Sequence, residues 1–267
     1  MNCKELKENF IASIRDDFVS GSMTITYKAI LELKSLLYLC PIQSKTELNT
    51  LLNELKNAKP TMQALRNAVE YIELKARHRG VESIIEILYD LLRDLDSTTE
   101  WTISKSIAFV LKKFTKRNLL LLTTSFSSTI NKFLENLNNL KRIQLLVLES
   151  KWKDFDYSKQ TFDFATRIGI HCEIADIEKL KLFANDIDFA TSGADCVSFD
   201  NGIVNGFPTY AMARFCKEQR IPYFVVAESI KYSEKCNIEE GFDFIPIELI
   251  SGIFSDGIFT SDMYKKS

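Results

Sequence analysis

Over roughly the first 117 residues, apolar side chains return at the three- and four-residue spacing of an amphipathic helix. Leu6, Phe10, Ile11 and Ile14 form one stripe, and Ile25, Ala29, Leu33, Leu36 and Leu37 a second. Ile84, Ile85, Leu88, Leu91 and Leu92 form a third, and Trp101, Ile103, Ile107, Ala108, Val110 and Leu111 carry a last helix towards the boundary. Pro41 and Pro60 break the pattern between segments, as a residue without an amide donor must. No period of about 20–50 residues recurs, which argues against a solenoid.

From Asn118 the texture changes to short continuous apolar runs: Leu119–Leu122, Ile143–Leu148, His171–Ile174, Phe189–Thr191 and Tyr223–Ala227. Helical stretches near 127–137, 158–168 and 207–219 lie between most of them. Buried strands alternating with helices predict a parallel sheet covered on both faces. The expected fold class is therefore α/β, with a helical N-terminal domain (1–117) and a Rossmann-like, doubly wound parallel-sheet C-terminal domain (118–267). Ligands of such sheets bind at the carboxyl ends of the strands, near the switch in strand order, so the segments just after each run hold the candidate chemistry.

Composition narrows this picture. The chain has 267 residues, 46% of them hydrophobic and 26% charged, and a net charge near −2. Such a chain can bury a sizeable core, and it lacks the basic patch that direct nucleic-acid binding calls for. Lys112, Lys113, Lys116 and Arg117 are expected at a solvated helix end. Cys3, Cys40, Cys172, Cys196, Cys216 and Cys236 are widely spread, without the spacing of a zinc site. With no apolar leader and no membrane-length span, the expectation is a cytoplasmic protein with reduced thiols serving as small apolar residues. No metal and no cofactor are expected.

After the first strand comes Thr123-Thr124-Ser125-Phe126-Ser127-Ser128-Thr129. A helix start here offers free amides to a phosphate, or is capped by Ser127 or Ser128. After the second strand, Glu149 and Lys151 are placed to clamp a polar ligand or to serve as loop residues. After the fourth, Gly193-Ala194-Asp195 would aim a carboxylate into the crevice, where desolvation would raise its pKa and fit it for proton transfer; alternatively it caps a local turn. Asp200-Asn201-Gly202 reads as a hairpin turn. Asn205, Pro208 and Thr209 open the next helix. Cys196, next to Asp195 on extended chain, points to the opposite face. His78 is expected on a charged helix end and His171 at a strand start.

These blocks, in order, resemble the family that holds the alpha, beta and delta subunits of translation initiation factor 2B. That family also contains ribose-1,5-bisphosphate and methylthioribose-1-phosphate isomerases. The match is carried by Lys59-Pro60-Thr61-Met62 with Leu65-Arg66-Asn67-Ala68, Leu122 to Thr129, Val147-Leu148-Glu149-Ser150, and Gly193-Ala194-Asp195 through Asn205 and Thr209 to Pro222–Ser229. Glu248-Leu249-Ile250 and Asp256-Gly257 resemble its closing segment. The resemblance implies dimerisation through the C-terminal domain. It also implies, for catalytic members, a crevice-loop Cys and the Asp of Gly-Ala-Asp as proton-transfer groups.

Several positions depart from the catalytic pattern. Asp195 is kept, but Ser125 stands where the Cys is expected, and a hydroxyl without a base is a poor acid–base group beside a thiol. Lys151-Trp152 replaces an Arg-Pro, and Lys lacks the bidentate fork that suits phosphate. Asn205-Gly206-Phe207-Pro208-Thr209 lacks the family's lysine, with Phe207 expected to fill its space. Ser20-Gly21-Ser22 echoes an Arg-Gly-Ala loop. The implied ligand-binding set is Gly21, Thr124, Ser127, Ser128, Glu149, Lys151, Gly193, Asn205 and Thr209. The expected function is a non-catalytic 2B-type subunit acting through protein–protein contacts in nucleotide exchange on initiation factor 2. Its expected partners are the alpha subunit of that factor, sister 2B-type subunits and a second copy of itself; no nucleic acid or membrane is expected. The alternatives are an aldose–ketose isomerase of sugar phosphates, with Asp195 and Ser125 catalytic, or a sensor of sugar or nucleotide phosphates.

Overall fold

The structure, a computed structural model, describes residues 2–198 and 201–256. The expected hairpin turn at Asp200 and the closing Gly257 lie outside the described residues. Five helices come first: α1 (Cys3–Arg15), α2 (Ser22–Leu39), α3 (Lys45–Ala58), α4 (Gln63–Arg79) and α5 (Ile84–Lys113). Local chemistry fixes several of their ends. Asn2 and Glu5 form a reciprocal capping box on α1, and Ser44 caps α3, each satisfying amides that have no partner in the first turn. Arg77, His78 and Arg79 end α4 before Gly80, where cations face the negative end of the helix dipole.

The predicted stripes become the helical core. Phe10, Ile14, Ile25, Ala29, Leu33, Leu36, Leu37, Leu88, Leu91 and Leu92 are all buried in one cluster. The 30-residue α5 then leaves that core. Its first half packs there through Ile84, Ile87 and Leu95, while Ile103, Ile107 and Val110 pack under the sheet beside Phe189, Phe224 and Phe254. At about 1.5 Å per residue it reaches far enough to join both cores.

The remainder alternates strands and helices. In chain order these are β1 (Asn118–Thr124), α6 (Ser128–Asn138), β2 (Arg142–Leu148), β3 (Lys151–Trp152), β4 (Phe155–Asp156), α7 (Tyr157–Arg167), β5 (His171–Ala175), α8 (Ile177–Phe183) and β6 (Phe189–Ser192). They continue as β7 (Cys196–Ser198), β8 (Gly202–Gly206), α9 (Thr209–Glu218), β9 (Tyr223–Val226), β10 (Tyr232–Ser233), β11 (Phe242–Pro246) and β12 (Gly252–Phe254). The main sheet runs β12-β9-β6-β1-β2-β5, and every pairing in it is parallel. All five apolar runs lie in this sheet, because a strand covered on both faces needs apolar residues on both. A second sheet, β10-β7-β8-β11, folds over its carboxyl end.

The chain moves outward from β1 through β2 to β5, then returns to β6 on the other side of β1. The switch point therefore falls between β1 and β6. The loops that leave it carry Ser125 and Asp195.

The expectation of six reduced, apolar-packing thiols does not hold. Cys3 is bonded to Cys40 and Cys196 to Cys236, across 37 and 40 residues of sequence. Such spacings carry no local signature; the packing of α1 on α2, and of β7 under the segment before β11, brings each pair together. Cys172 and Cys216 are free, and burial pushes both thiols up to about 12. Among the described residues no helix is long and apolar enough to cross a membrane, and no cluster of three or more His, Cys, Asp or Glu side chains is placed to hold a metal ion.

Candidate functional site

A cavity of about 360 Å³ lies where the helical layer meets the carboxyl ends of β1 and β6. Segments from both halves of the chain wall it. The α1–α2 loop brings Arg15, Asp17, Phe18, Gly21 and Ser22, and the α3–α4 loop brings Lys59 and Thr61. The loop after β1 brings Ser125 and Phe126, the β3–β4 hairpin brings Trp152 and Lys153, and the β6–β7 loop brings Asp195. The segment before β11 closes the wall with Glu239, Glu240 and Gly241.

Asp195 is held by its backbone. Its amide donates to the Val204 carbonyl at 2.8 Å and its carbonyl accepts from the Gln63 amide at 3.0 Å. The β7–β8 hairpin and the start of α4 thus fix the carboxylate between the two halves of the molecule. Burial raises its pKa, against the opposing pull of the Lys231 charge and a hydrogen bond from Ser22. A carboxyl group so placed holds a proton more readily than one in water, the condition for general acid–base work or for donating to a ligand oxygen.

Ser125 faces the same cavity in a left-handed backbone conformation, φ 61°, which costs a non-glycine residue energy. Its carbonyl accepts from Thr161 Oγ1 at 2.6 Å. Its hydroxyl sits so close to Gly206 that a Cβ there would stand 2.5 Å from Oγ. That contact takes the space expected for Phe207, which points outward and is 47% exposed. The chain's two histidines lie on α4 and β5, so none of the lining residues can act as an imidazole base toward Ser125.

The other hydroxyls of this loop are committed elsewhere. Thr123 Oγ1 donates to the Thr191 carbonyl at 2.8 Å, and Thr124 Oγ1 to that of Leu148 at 3.4 Å. Ser127 caps α6 by accepting from the Ile130 amide, and Gly193 exists to admit it: a Cβ on Gly193 would lie 2.5 Å from Ser127 Oγ. Ser128 lines a separate groove against α2 and α5. Asn205 Nδ2 donates to Thr209 Oγ1 at 2.9 Å, and that hydroxyl donates to the Gly206 carbonyl at 2.6 Å, a closed and buried pair beneath the cavity. Of the candidate residues, Gly21, Ser125 and Asp195 line the cavity. Thr124, Ser127, Gly193, Asn205 and Thr209 support it from behind.

Glu149 and Lys151 form no clamp. Lys151 Nζ lies 2.5 Å from Glu149 Oε1 and 3.9 Å from Asp156 Oδ2, with both partners of the closer pair about half exposed. The antiparallel pairing of β3 with β4 turns the cation outward, and two residues on it brings Lys153 to the lining instead.

Besides Arg15, two lysines reach the cavity, and they carry a weak sequence signal. Lys59 is 8% exposed, and its ammonium sits 4.0 Å from the centre of the Phe18 ring. Burial lowers its pKa, against the raising influence of Asp17 and Glu239. Lys153 lies 6.0 Å from the same ring, on the opposite wall of the lining. Tyr157 ties this edge down by donating to the Phe18 carbonyl at 2.9 Å. Lys59 was visible as the residue before Pro60-Thr61; nothing local distinguished Lys153 from a surface lysine.

Behind Asp195 is a second buried charge cluster. Lys231 Nζ lies 2.8 Å from Glu228 Oε2, with both side chains at or below 1% exposure. Glu228 Oε1 accepts from Thr129 Oγ1 at 2.8 Å and Thr99 Oγ1 at 3.3 Å. This network joins α5, α6 and the loop after β9, and its Lys231 supplies a positive charge that acts on Asp195.

A parallel sheet with a polar cavity at its switch point, roofed by a five-helix layer, defines a class of ligand-cavity α/β proteins. The family model of the initiation factor 2 subunits, IF-2B, matches residues 19–249, and the chain belongs to that family. A ribose 1,5-bisphosphate isomerase of Archaeoglobus fulgidus is 27% identical over 186 residues, covering 68% of this chain and 57% of that protein. A protein of Pyrococcus horikoshii described as a putative translation initiation factor eIF-2B subunit 2-like is 24% identical over 181 residues, covering 67% and 62%. The chain thus spans under two thirds of the length of these relatives. Among solved structures, the translation initiation factor eIF-2B of Pyrococcus horikoshii superposes with a TM-score of 0.77 over 95% of this chain and 96% of that one, at 21% identity. A chain of the tetrameric eIF2B beta2-delta2 complex of C. thermophilum gives 0.74 over 96% and 90%, at 14% identity. These two structures share the fold.

Proposed function

We propose that this chain is a non-catalytic subunit of the initiation factor 2B type. It acts through contacts with the alpha subunit of initiation factor 2, with sister subunits and with a second copy through its sheet domain, and it keeps the cavity as a binding site for a sugar or nucleotide phosphate. The observation that carries this reading is Ser125. It lines the same cavity as Asp195, at the position where a thiol is expected from the isomerases the chain resembles, and no lining side chain is an imidazole that could activate it. Lys59 and Lys153 supply charge for a phosphate, since a charge-assisted bond contributes about 1.5–3 kcal/mol. The test is association: the purified chain is mixed with the alpha subunit of initiation factor 2, alone and with sister 2B-type subunits, and followed by sedimentation. A complex is expected, and its absence at roughly tens of micromolar sinks the reading.

One observation favours a second reading, a sugar-phosphate isomerase. Asp195 carries a raised pKa in the same cavity as a hydroxyl, which is half of a proton-transfer pair. Phosphorus NMR of ribose 1,5-bisphosphate and methylthioribose 1-phosphate separates the two. Turnover that vanishes in Asp195→Asn would establish the enzyme and displace the non-catalytic role.

A further inference from the structure

The segment 234–241, between β10 and β11, crosses the mouth of the cavity like a strap. Glu239 Oε2 accepts from the Thr61 amide at 2.9 Å and also from the Thr61 hydroxyl. Asn237 Nδ2 donates to the Pro60 carbonyl at 3.1 Å. At its far end the Gly241 carbonyl accepts from the Phe207 amide at 2.9 Å, and Gly241 lies against the Trp152 ring. Glu239, Glu240 and Gly241 are cavity wall. Yet the strap has little core of its own: Glu234, Lys235, Asn237, Ile238, Glu239 and Glu240 are exposed, and a segment with few buried contacts opens at low cost.

The Cys196–Cys236 bond is the covalent tie of this strap. Cys196 is fully buried and directly follows Asp195, while Cys236 is partly exposed in the strap itself. The bond therefore joins the strand that positions the cavity carboxylate to the segment that covers it. Cys3–Cys40 is placed differently, tying the start of α1 to the end of α2, and none of its residues lines the cavity.

We propose that Cys196–Cys236 is a reversible thiol–disulfide site that sets how firmly the strap closes the cavity. A dithiol reductant attacks Cys236 Sγ, the accessible sulfur, as its thiolate. The Cys196–Cys236 bond breaks, a bond forms between the reductant and Cys236, and Cys196 leaves as a thiolate that takes up a proton. The second thiolate of the reductant then attacks its own mixed-disulfide sulfur and releases Cys236, which is protonated in turn. The reductant gives up two electrons and becomes a cyclic disulfide; the cysteine pair gains two electrons and two protons. The strap is then held without a covalent tie, by hydrogen bonds that include those to Pro60, Thr61, Ser198 and Phe207. The effect on ligand affinity rests on the cavity reading proposed above; the effect on the strap does not.

Hydrogen exchange followed by mass spectrometry on the full chain, with and without dithiothreitol, tests this directly. On reduction, and in Cys236→Ser without reductant, peptides holding Thr61 and residues 237–242 are expected to exchange about tenfold faster or more, while β1 and β2 keep their rates. Cys3→Ser is expected to leave the strap at its wild-type rate. Calorimetry with ribose 1,5-bisphosphate as the probe is expected to show a Kd raised about tenfold in the reduced protein. Three results overturn the proposal: no Cys196–Cys236 peptide in a non-reducing digest, no change at the strap on reduction, or an equal rise across the whole chain, which marks a structural staple. A probe that binds neither form counts against the ligand site, and the exchange result still decides the strap.

Discussion

Glu228 is fully buried and Asp195 half-buried beside the cavity, and the two carboxylates are held in opposite ways. Glu228 has a cation at 2.8 Å and two threonine hydroxyls on its other oxygen. Asp195 has one serine hydroxyl, a more distant share of the same cation, and a cavity in front of it. A buried charge paired with a cation and bonded to hydroxyls is a structural joint, and removing one partner strands the other. A half-buried charge left short of partners stores a demand that a proton or a ligand can meet. Lys231 serves both, which makes the joint part of the site's electrostatics.

The sharpest way to break this contrast is Lys231→Met. It strands Glu228 without its cation, and urea unfolding is expected to show a loss of about 3–5 kcal/mol. A loss well below this would mean that the Lys231–Glu228 pair is no joint. Gly193→Ala comes next: the new Cβ meets the Ser127 hydroxyl that caps α6, and overpacking of this kind costs about 1–3 kcal/mol. It should also shift the neighbouring Asp195, so a variant with wild-type stability would put the tight approach in doubt. Lys59→Met is expected to leave folding nearly intact, because the long apolar stem is replaced in kind. Affinity for a phosphate-bearing probe should fall about tenfold or more by calorimetry.

Asp195→Asn sharpens the comparison through pH. The folded state raises the Asp195 pKa, so the folded protein binds the proton more tightly than the unfolded chain. Its contribution to stability is present below the unfolded aspartate value and is lost as pH rises through the raised folded one. Urea midpoints taken from acid to neutral pH should therefore show wild type losing stability relative to the asparagine variant across that window. Parallel curves would mean that Asp195 is no more strained than Glu228. The smallest effect is expected for Lys151→Ala. Its exposed pair with Glu149 should leave stability and probe binding unmoved, and a clear loss of binding would relocate the cation site.

Much of the architecture was legible because burial writes itself into spacing. The stripes on α1, α2 and α5, and the five two-sided apolar runs, follow from the 3.6- and 2-residue periods of their backbones. The site was legible in part. Ser125 and Asp195 were reachable by position, since both lie just past strands that flank the switch point. Thr124, Ser127, Asn205 and Thr209 were indistinguishable from them by residue type, because a hydroxyl or amide that packs behind a cavity has the same chemistry as one that faces into it. Lys151 and Lys153 differ by two residues, and a two-residue hairpin decided which of them lines the cavity.

What the sequence determined by itself is the succession of helical stripes and apolar strand runs, the strand-end loops that carry Ser125 and Asp195, and the family, because these rest on local period and on ordered blocks of residues. Tertiary structure alone decided the partners of each polar group: which hydroxyls are spent on backbone carbonyls, which lysines reach the cavity, and which carboxylate receives a cation. It also decided the pairing of Cys3 with Cys40 and of Cys196 with Cys236, since contacts made across 37 and 40 residues depend on how whole elements pack and leave no trace in local spacing.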